Sequence, residues 1–376
     1  PFRKYQFIGK VMYFKKELAA LRKANRFRQR YIFEDNLKDL ASNDYLGLAE
    51  NKKIFKKTIK RVLKEKSFSP KASMIVNGYS KIHQEFEQEL CKVNNFENGI
   101  IVGSGFLANI SLIESMIRKN DILLIDEQYH ASGILASSLC RGEVIVFKHN
   151  DIDDLKTHLE NINKPKQRII IAIEGIYSMQ GDIAPKEISD IADNYNALLL
   201  VDEAHSSGVI GSKLLGWFDH FNIAIKSNHI KMGTLGKAYG AYGAYILASN
   251  ETISFLENRA KPIIYSTAPS IIDTAIGHES LKYILTHKIQ LKKKIQKRQA
   301  LVKNILGIEV EGLIVPIEIN NNQKVLEIQK TIRENGFNVG AIRQPTVKKA
   351  IIRLIAKIDI SKKELKKVLN LLNSQQ

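Results

Sequence analysis

The chain lacks the features that mark membrane, secreted and metal-binding proteins. Its longest apolar runs, such as residues 197–201, are too short to span a bilayer, and its N-terminus lacks the uninterrupted apolar core of a secretory signal. Its two cysteines, Cys91 and Cys140, stand in no CxxC or metal-ligand spacing, which argues against both a disulfide framework and a zinc site. We therefore expect a cytoplasmic protein with no membrane segment and no metal.

Acidic residues are also scarce, since 57 Lys and Arg face 39 Asp and Glu and give a net charge of +18. A non-catalytic nucleic-acid-binding protein would show such an excess, because Lys and Arg neutralise phosphates. The basic residues are, however, spread along the whole chain and mixed with Ile and Asn, as in KKKIQKRQ (292–299). This pattern favours a solvated lysine-rich surface and no nucleic-acid partner. Such a surface would attract an anionic small molecule or an acidic carrier protein.

The order of apolar and helical patterns predicts an α/β fold. Uniformly apolar strands separated by helical patterns imply a mainly parallel sheet covered on both faces. The predicted strands are 121–126, 143–147, 168–175, 197–205 and 244–249. We expect three parts, an N-terminal helical segment (1–43), a large domain with this sheet (44–268) and a smaller C-terminal α+β domain (269–376). A cleft between the two domains is a natural ligand site.

The stretch VGSGFLAN (102–109) is typical of a phosphate-binding turn between a strand and a helix. Residues 103–108 match G-x-G-x-x-A, and Asp126 ends the next predicted strand, which together resemble a dinucleotide fingerprint. On this motif alone the chain would be an NAD-dependent dehydrogenase. The alternative is that the glycines only tighten the turn.

Three further constellations favour a different cofactor. Asp202 closes the apolar strand in LLLVDEAH with His205 after it, Lys237 stands among glycines in TLGKAYGAYG, and His130 follows Asp126 in DEQYHAS. Pyridoxal phosphate needs a Schiff-base lysine, a carboxylate for its ring nitrogen, a flat group against the ring and a helix N-terminus for its phosphate. Lys237, Asp202, His130 and the turn at Gly105 supply one of each. The sequence therefore predicts a pyridoxal phosphate enzyme.

Motifs along almost the whole chain resemble those of the α-oxoamine synthases, fold type I pyridoxal phosphate enzymes that join an amino acid to an acyl thioester. The motifs are ASNDYLGLA (41–49), NGYSKIHQEFEQEL (77–90), GSGFLANISLI (103–113), DEQYHAS (126–132), HNDIDDL (149–155), IEGIYSMQGDIAP (173–185), VDEAHSSGVIG (201–211), TLGKAYG (234–240), IYSTAPS (264–270) and AIRQPTV (341–347). The chain departs from the family at PKASMIV (70–76), where a Gly- and Ser-rich turn is usual, and at Gln180 and Gln344.

The resemblance implies the cofactor contacts. Lys237 would form the Schiff base, Asp202 would pair with the ring nitrogen and His130 would stack on the ring. His205 and Ser178 would bond the phenolic oxygen. Thr234 and the backbone of Gly105 and Phe106 would hold the phosphate. Ser266 or Thr267 from the second subunit of a homodimer would help to hold the phosphate.

The resemblance also implies the substrates. Arg353 would bind the carboxylate of the amino acid, and Arg28, Asn43 and Thr346 would lie near the substrates, with Arg26 and Arg30 as alternatives to Arg28. AIRQPTV is similar to the segment of the biotin-pathway branch, which condenses L-alanine with a pimeloyl thioester of coenzyme A or an acyl carrier protein and releases CO2. The alternative within the family is a glycine C-acetyltransferase.

Overall fold

The computed structural model describes residues 13–24, 26–162, 168–344 and 346–375. Residues 1–12 of the predicted N-terminal segment and Pro345 of AIRQPTV lie outside these ranges. Within the described part, the predicted lead-in contains helix α1 (Lys15–Lys23).

Strands and helices alternate along the chain as the apolar pattern predicts. The strands are β1 (Lys38–Asp39), β2 (Asn98–Val102), β3 (Ile122–Asp126), β4 (Glu143–Phe147), β5 (Ile169–Glu174), β6 (Leu198–Asp202), β7 (His229–Thr234), β8 (Ala244–Ala248), β9 (Ile314–Glu318), β10 (Phe337–Asn338), β11 (Gly340–Ile342) and β12 (Ile351–Ile355). The remaining helices are α2 (Lys52–Val62), α3 (Lys81–Asn94), α4 (Gly105–Met116), α5 (Ala131–Leu139), α6 (Ile152–Glu160), α7 (Glu187–Asn194), α8 (Trp217–His220), α9 (Asn250–Arg259), α10 (Lys261–Ile264), α11 (Ile271–Leu306), α12 (Asn322–Glu334) and α13 (Lys362–Asn373), and Met74–Gly78 forms a π-helical turn.

A seven-stranded sheet forms the centre of the molecule. Its order is β2-β8-β7-β6-β5-β3-β4, and β8 runs antiparallel to its neighbours while the strands from β7 to β4 are parallel. All five strands expected from the sequence belong to it. Every residue of β3 is buried and β5 and β6 are buried beyond their first residue, because helices cover both faces.

The sequence did not predict β7, and the reason lies in its buried polar residues. His229 and Lys231 make the segment look polar, yet their side chains are 0% and 1% exposed. The Lys231 ammonium donates to Asn94 Oδ1 at 2.9 Å and lies 3.5 Å from Glu203 Oε1. A buried charge is tolerated only when it is paired in this way.

The register of the parallel strands brings functional residues to one edge of the sheet. Glu174, the last residue of β5, is opposite Asp202, the last residue of β6, and Asp202 is opposite Met232 in β7. In open α/β sheets, ligands bind outside the carboxyl ends of the strands. The sheet therefore presents Glu174, Asp202 and Thr234 to a common site.

The C-terminal part contains a smaller antiparallel sheet of order β11-β12-β9. The 36-residue helix α11 precedes it. Strand β1 pairs with β10, and Ile355 N donates to Leu40 O at 2.8 Å, so residues just before Asn43 lie against this part of the chain. The described residues thus form a seven-stranded sheet, this three-stranded sheet and the β1-β10 pair, and the division at residues 44 and 269 stays a prediction. Within the described ranges, no helix is long and apolar enough to cross a membrane.

Candidate active site

A cavity of about 180 Å³ lies at the carboxyl edge of the central sheet. Seven of the residues predicted to contact the cofactor line it, namely Gly105, Phe106, His130, Asp202, His205, Thr234 and Lys237. Asn109, Ser132, Glu174, Ala204 and Met232 complete the wall. The fold thus brings together groups that are more than 130 positions apart in the sequence.

Lys237 lies in the loop between β7 and β8, and its amine is buried in the cavity. Burial lowers its pKa to about 8, although the carboxyl groups of Asp202 and Glu174 oppose that change. Its Nζ lies 2.7 Å from His205 Nε2. A lysine with a lowered pKa is partly unprotonated near neutral pH, so it can act as a nucleophile and as a base.

Asp202 is fixed at the end of β6 by two hydrogen bonds. Its Oδ1 accepts from Ala204 N at 3.0 Å, and its Oδ2 accepts from Asn109 Nδ2 at 2.9 Å. Asn109 comes from α4 and is oriented in turn by Tyr129, whose hydroxyl donates to Asn109 Oδ1 at 2.9 Å. The carboxylate is therefore held in one orientation by groups that the sequence motifs did not single out.

His130 stands immediately before α5. Ser132 N donates to its Nδ1 at 3.2 Å, so that nitrogen carries no proton. Burial lowers its pKa, and the nearby Lys237 adds to this effect while Asp202 opposes it. A neutral, flat imidazole held at the cavity wall is suited to stack on an aromatic ring.

The first turn of α4 also forms part of the cavity wall. Ser104 caps this helix by accepting from Leu107 N at 3.2 Å, and Gly105 and Phe106 are its first two residues. A Cβ added at Gly105 would lie 3.8 Å from Thr234 Oγ1, so the Thr234 hydroxyl faces the same turn. Free backbone N–H groups and the helix dipole make such an N-terminus a site for a phosphate.

Tyr45 and Glu174 are two further residues that the sequence reasoning missed. Tyr45 is fully buried, and its hydroxyl lies 2.5 Å from His205 Nδ1; burial raises the pKa of Tyr45 to about 12. Glu174 lies beside Asp202, and burial together with the charge of Asp202 raises its pKa well above the usual value. The available signals were the position of Tyr45 in ASNDYLGLA and the position of Glu174 at the end of an apolar strand, like that of Asp202.

Arg353 connects the cavity region to the smaller sheet. It is buried in β12, where Nε donates to Ser178 O at 2.7 Å and Nη1 donates to Asn43 Oδ1 at 3.0 Å. Ser178 N in turn donates to Glu174 Oε2 at 3.1 Å. Arg353, Asn43 and Ser178 therefore form one bonded group, although Ser178 is not among the residues that line the cavity.

A second cavity, of about 460 Å³, contains the residues predicted near the acyl substrate. It is lined by Leu21, Arg26, Arg28, Ala341, Ile342, Arg343, Gln344 and Thr346. Arg28 and Thr346 both line this cavity with Arg26, whereas Arg30 is not part of the wall, and their contact with the acyl substrate stays a prediction. Strand β11 carries Ala341 and Ile342 and pairs with β12, in which Arg353 is opposite Gly340.

Ser266 and Thr267 are not part of either cavity wall. They lie between α10 and α11, and Thr267 is exposed. Their predicted contact with the phosphate involves a second subunit, so their role stays a prediction.

The donor set of the 180 Å³ cavity fits pyridoxal phosphate. An amine, an oriented carboxylate, a flat neutral ring and a helix N-terminus surround it, which are the four groups this cofactor requires. Glu174 Oε1 is buried there without a hydrogen-bond partner among the described residues. By contrast, Asp126, which a dinucleotide would need for its ribose, uses its carboxylate to bond His149 and Asn150. The described residues contain no cluster of three or more His, Cys, Asp or Glu side chains able to hold a metal ion.

Comparison with known proteins shows the family to which the chain belongs. Residues 35–372 match the family model "Aminotransferase class I and II". Over 361 residues the chain is 44% identical to the 8-amino-7-oxononanoate synthase of Helicobacter pylori, with 96% of each chain covered. The chain belongs to the α-oxoamine synthase family. It is therefore a member of a family of pyridoxal phosphate-dependent acyltransferases.

Solved structures of α-oxoamine synthases share its fold. Serine palmitoyltransferase of Sphingomonas wittichii superposes with a TM-score of 0.87 at 21% identity, covering 97% of this chain and 98% of that one. The 8-amino-7-oxononanoate synthase of Francisella tularensis gives a TM-score of 0.75 at 24% identity, covering 91% and 98%. The expected fold type I architecture with its mainly parallel sheet is confirmed.

Proposed function

We propose that the chain condenses L-alanine with a pimeloyl thioester to give 8-amino-7-oxononanoate, CO2 and the free thiol. The 44% identity to the Helicobacter pylori enzyme over nearly the whole chain is the observation that carries the proposal. The convergence of Lys237, Asp202 and His130 on one cavity supports the chemistry. In this role the protein serves biotin biosynthesis, and we place it in the cytoplasm.

The residues that would hold the cofactor line or adjoin the cavity. Lys237 would bind its aldehyde carbon, Asp202 would keep its ring nitrogen protonated and His130 would stack on its ring. His205 and Ser178 would bond the phenolic oxygen, and Thr234 with the backbone of Gly105 and Phe106 would bond the phosphate. When bound, pyridoxal phosphate supplies an electron-withdrawing ring that stabilises negative charge on the amino-acid Cα.

The amino acid is oriented by Arg353. A guanidinium presents its N–H groups as a planar fork that matches a carboxylate. The bonds from Arg353 to Ser178 O and Asn43 Oδ1 fix the direction of that fork. With the carboxylate bound there, the Lys237 amine takes the proton from Cα, for which a pKa of about 8 is well suited at neutral pH.

The acyl donor occupies the 460 Å³ cavity. Arg26 and Arg28 supply positive charge, and Thr346 supplies a hydroxyl. A pimeloyl chain ends in a carboxylate, and coenzyme A or an acidic acyl carrier protein adds further negative charge, so the net charge of +18 favours the encounter. Loss of the carboxyl group of alanine as CO2 and release of the thiol complete the reaction.

We also propose a homodimer with active sites at the subunit interface. Val76 and Tyr265 are 77% and 79% exposed, and their segments are joined by the bond from Ala268 N to Ala72 O. Exposed apolar groups that cluster in this way are typical of protein interfaces. The same surface carries Ser266 and Thr267. Light scattering gives the mass in solution, and a monomer at micromolar concentration would contradict the proposal.

The deciding experiment is product identification. The purified protein is supplied with pyridoxal phosphate and either L-alanine plus pimeloyl-CoA or glycine plus acetyl-CoA, and the products are identified by mass spectrometry. We expect 8-amino-7-oxononanoate from the first pair and no product from Lys237→Ala. If only the second pair reacts, the chain is a glycine C-acetyltransferase.

A further inference from the structure

His149 lies outside the active-site cavity, between two carboxylates. Its Nδ1 is 2.9 Å from Asp126 Oδ1, and its Nε2 is 2.7 Å from Asp182 Oδ2. Only the charged form of imidazole carries a proton on both ring nitrogens and can donate to both partners. We call this group, Asp126, His149 and Asp182, the histidine bridge.

The surroundings of His149 favour its charged form. Burial alone would lower its pKa, but the hydrogen bonds to Asp126 and Asp182 and their negative charges raise it to about 9. The other titratable group against the ring is Tyr177, which meets it edge-on at 4.4 Å between ring centroids and stays neutral because burial raises its pKa. His149 is therefore a cation at neutral pH.

The Asp126 end of the histidine bridge holds the turn that carries His130. Asp126 ends β3 and is 0% exposed. Its Oδ1 also accepts from Gln128 N at 2.8 Å, and its backbone oxygen accepts from Tyr129 N at 3.0 Å. His130 is the next residue, so its position depends on how Asp126 is held.

The Asp182 end holds the loop that carries Ser178. Tyr177 N donates to Asp182 O at 2.9 Å, and Ile176 pairs with Ile183, so residues 176–183 form a closed loop. Ser178 lies within this loop, and its oxygen accepts from Arg353 Nε. A shift of Asp182 would therefore move both Ser178 and the orientation of Arg353.

Asn150 joins the same two carboxylates a second time. Its backbone N–H donates to Asp126 Oδ2 at 3.0 Å, and its Nδ2 donates to Asp182 Oδ2 at 3.0 Å. Its φ of 55° is the left-handed conformation that non-glycine residues seldom adopt, and Asn is among those that tolerate it. The chain at 149–150 is thus bent so that both residues face the carboxylates.

We propose that His149 is a positioning residue that fixes the distance between the turn carrying His130 and the loop carrying Ser178. The inference rests on the proposed function, in which these two residues contact the same cofactor ring. The histidine bridge itself touches neither the cofactor cavity nor the substrates. It acts by tying Asp126, the last residue of β3, to the loop that follows the neighbouring strand β5.

The test compares His149→Gln with His158→Gln. Gln is uncharged and cannot donate hydrogen bonds to both carboxylates as a charged imidazole ring does. His158 is the control, because it forms a partly exposed pair with Asp154 at 3.5 Å, away from the site. The dissociation constant of pyridoxal phosphate is measured on cofactor-free protein, together with the absorbance maximum of the bound cofactor and kcat and KM for L-alanine. Circular dichroism reports folding.

We expect His149→Gln to weaken cofactor binding and lower kcat/KM by about 10- to 100-fold, because small displacements of positioned groups are costly. We also expect a shifted absorbance maximum and a raised KM, since Ser178 and Arg353 move with the loop. His158→Gln should match the wild type within about twofold, as is usual for exposed pairs. If the role of His149 were purely structural, His149→Gln would lower the melting temperature and leave the absorbance maximum and KM unchanged.

A second variant covers the case in which His149→Gln does not fold. Asp182→Asn keeps an oxygen that accepts from His149 and removes one negative charge on the exposed side, so a folded protein with weaker cofactor binding and a shifted absorbance is expected. Folded variants that bind pyridoxal phosphate with the affinity and absorbance of the wild type would overturn the inference. Failure of the wild type to bind the cofactor would instead refute the proposed function.

Discussion

His205 lies between Lys237 and Tyr45, with its Nε2 2.7 Å from Lys237 Nζ and its Nδ1 2.5 Å from Tyr45 Oη. Burial lowers the pKa of His205 well below its usual value, and the charges of Lys237 and Arg353 add to the effect. The imidazole is therefore neutral and carries one proton. His205 therefore orients the Lys237 amine through one ring nitrogen while the Tyr45 hydroxyl bonds the other.

The first prediction concerns the rate at which cofactor-free protein captures pyridoxal phosphate. Only the unprotonated amine of Lys237 reacts with the aldehyde, and burial sets its pKa to about 8. The rate should therefore rise about tenfold between pH 7 and pH 9, with its midpoint near pH 8. Stopped-flow absorbance follows the reaction. Lys213→Ala, a change at an exposed lysine, should leave the curve unaltered, and a midpoint above pH 10 would show that Lys237 is not the buried group described here.

The second prediction concerns Asn109, which holds Asp202. In Asn109→Ala the carboxylate loses its 2.9 Å hydrogen bond and Tyr129 loses its acceptor. Leaving buried polar groups unsatisfied costs about 1–3 kcal/mol, so pyridoxal phosphate should bind roughly 10- to 100-fold more weakly. Equilibrium dialysis gives the dissociation constant. Asn335→Ala, at an exposed helix end, is the matched control, and equal affinities for the two variants would remove Asn109 from the site.

Much of the site could be predicted because its residues follow the ends of parallel strands. His130 follows β3, Asp202 ends β6 and Lys237 follows β7. Because these strands are parallel, their carboxyl ends lie at the same edge of the sheet. Short motifs at these positions therefore predict residues of one common site, even though the motifs are distant in the sequence. The fold class followed from the same apolar strands, since burial on both faces leaves an uninterrupted hydrophobic pattern.

Contacts between residues that are distant in the sequence could not be predicted from such local patterns. The bond between Arg353 and Asn43 joins positions 310 residues apart and depends on how the smaller sheet packs on the larger one. Asn109 lies on a helix face that otherwise looks apolar, and Lys231 gives β7 a polar character that only its partner Glu203 explains. In each case the role of the side chain depends on which residue lies next to it in the fold, and the local sequence pattern does not show that partner.

The third prediction concerns the carboxylate site at Arg353. Arg353→Lys keeps the positive charge but loses the planar fork, and with it the simultaneous bonds to Ser178 O and Asn43 Oδ1. Hydrogen bonds to charged groups contribute about 1.5–3 kcal/mol, so KM for L-alanine should rise roughly 10- to 100-fold. Steady-state kinetics measure it, and the dissociation constant of pyridoxal phosphate should change far less. Arg333→Lys, at a partly exposed helix end, is the control. An unchanged KM would place the carboxylate elsewhere.

The fourth prediction concerns the pH dependence of stability that the histidine bridge introduces. The pKa of His149 is about 9 in the folded protein and about 6.5 in the unfolded chain, so its charge stabilises the fold fully below pH 6.5 and loses this effect as the pH rises through 9. The difference in melting temperature between the wild type and His149→Gln should therefore be largest at pH 6 and should shrink steadily up to pH 10. Scanning calorimetry of both proteins across this range measures it. Ser138→Ala, which removes an exposed hydroxyl and no titrating group, should give a difference that does not vary with pH. A difference between the wild type and His149→Gln that grows above pH 8 would mean that His149 is neutral in the folded protein.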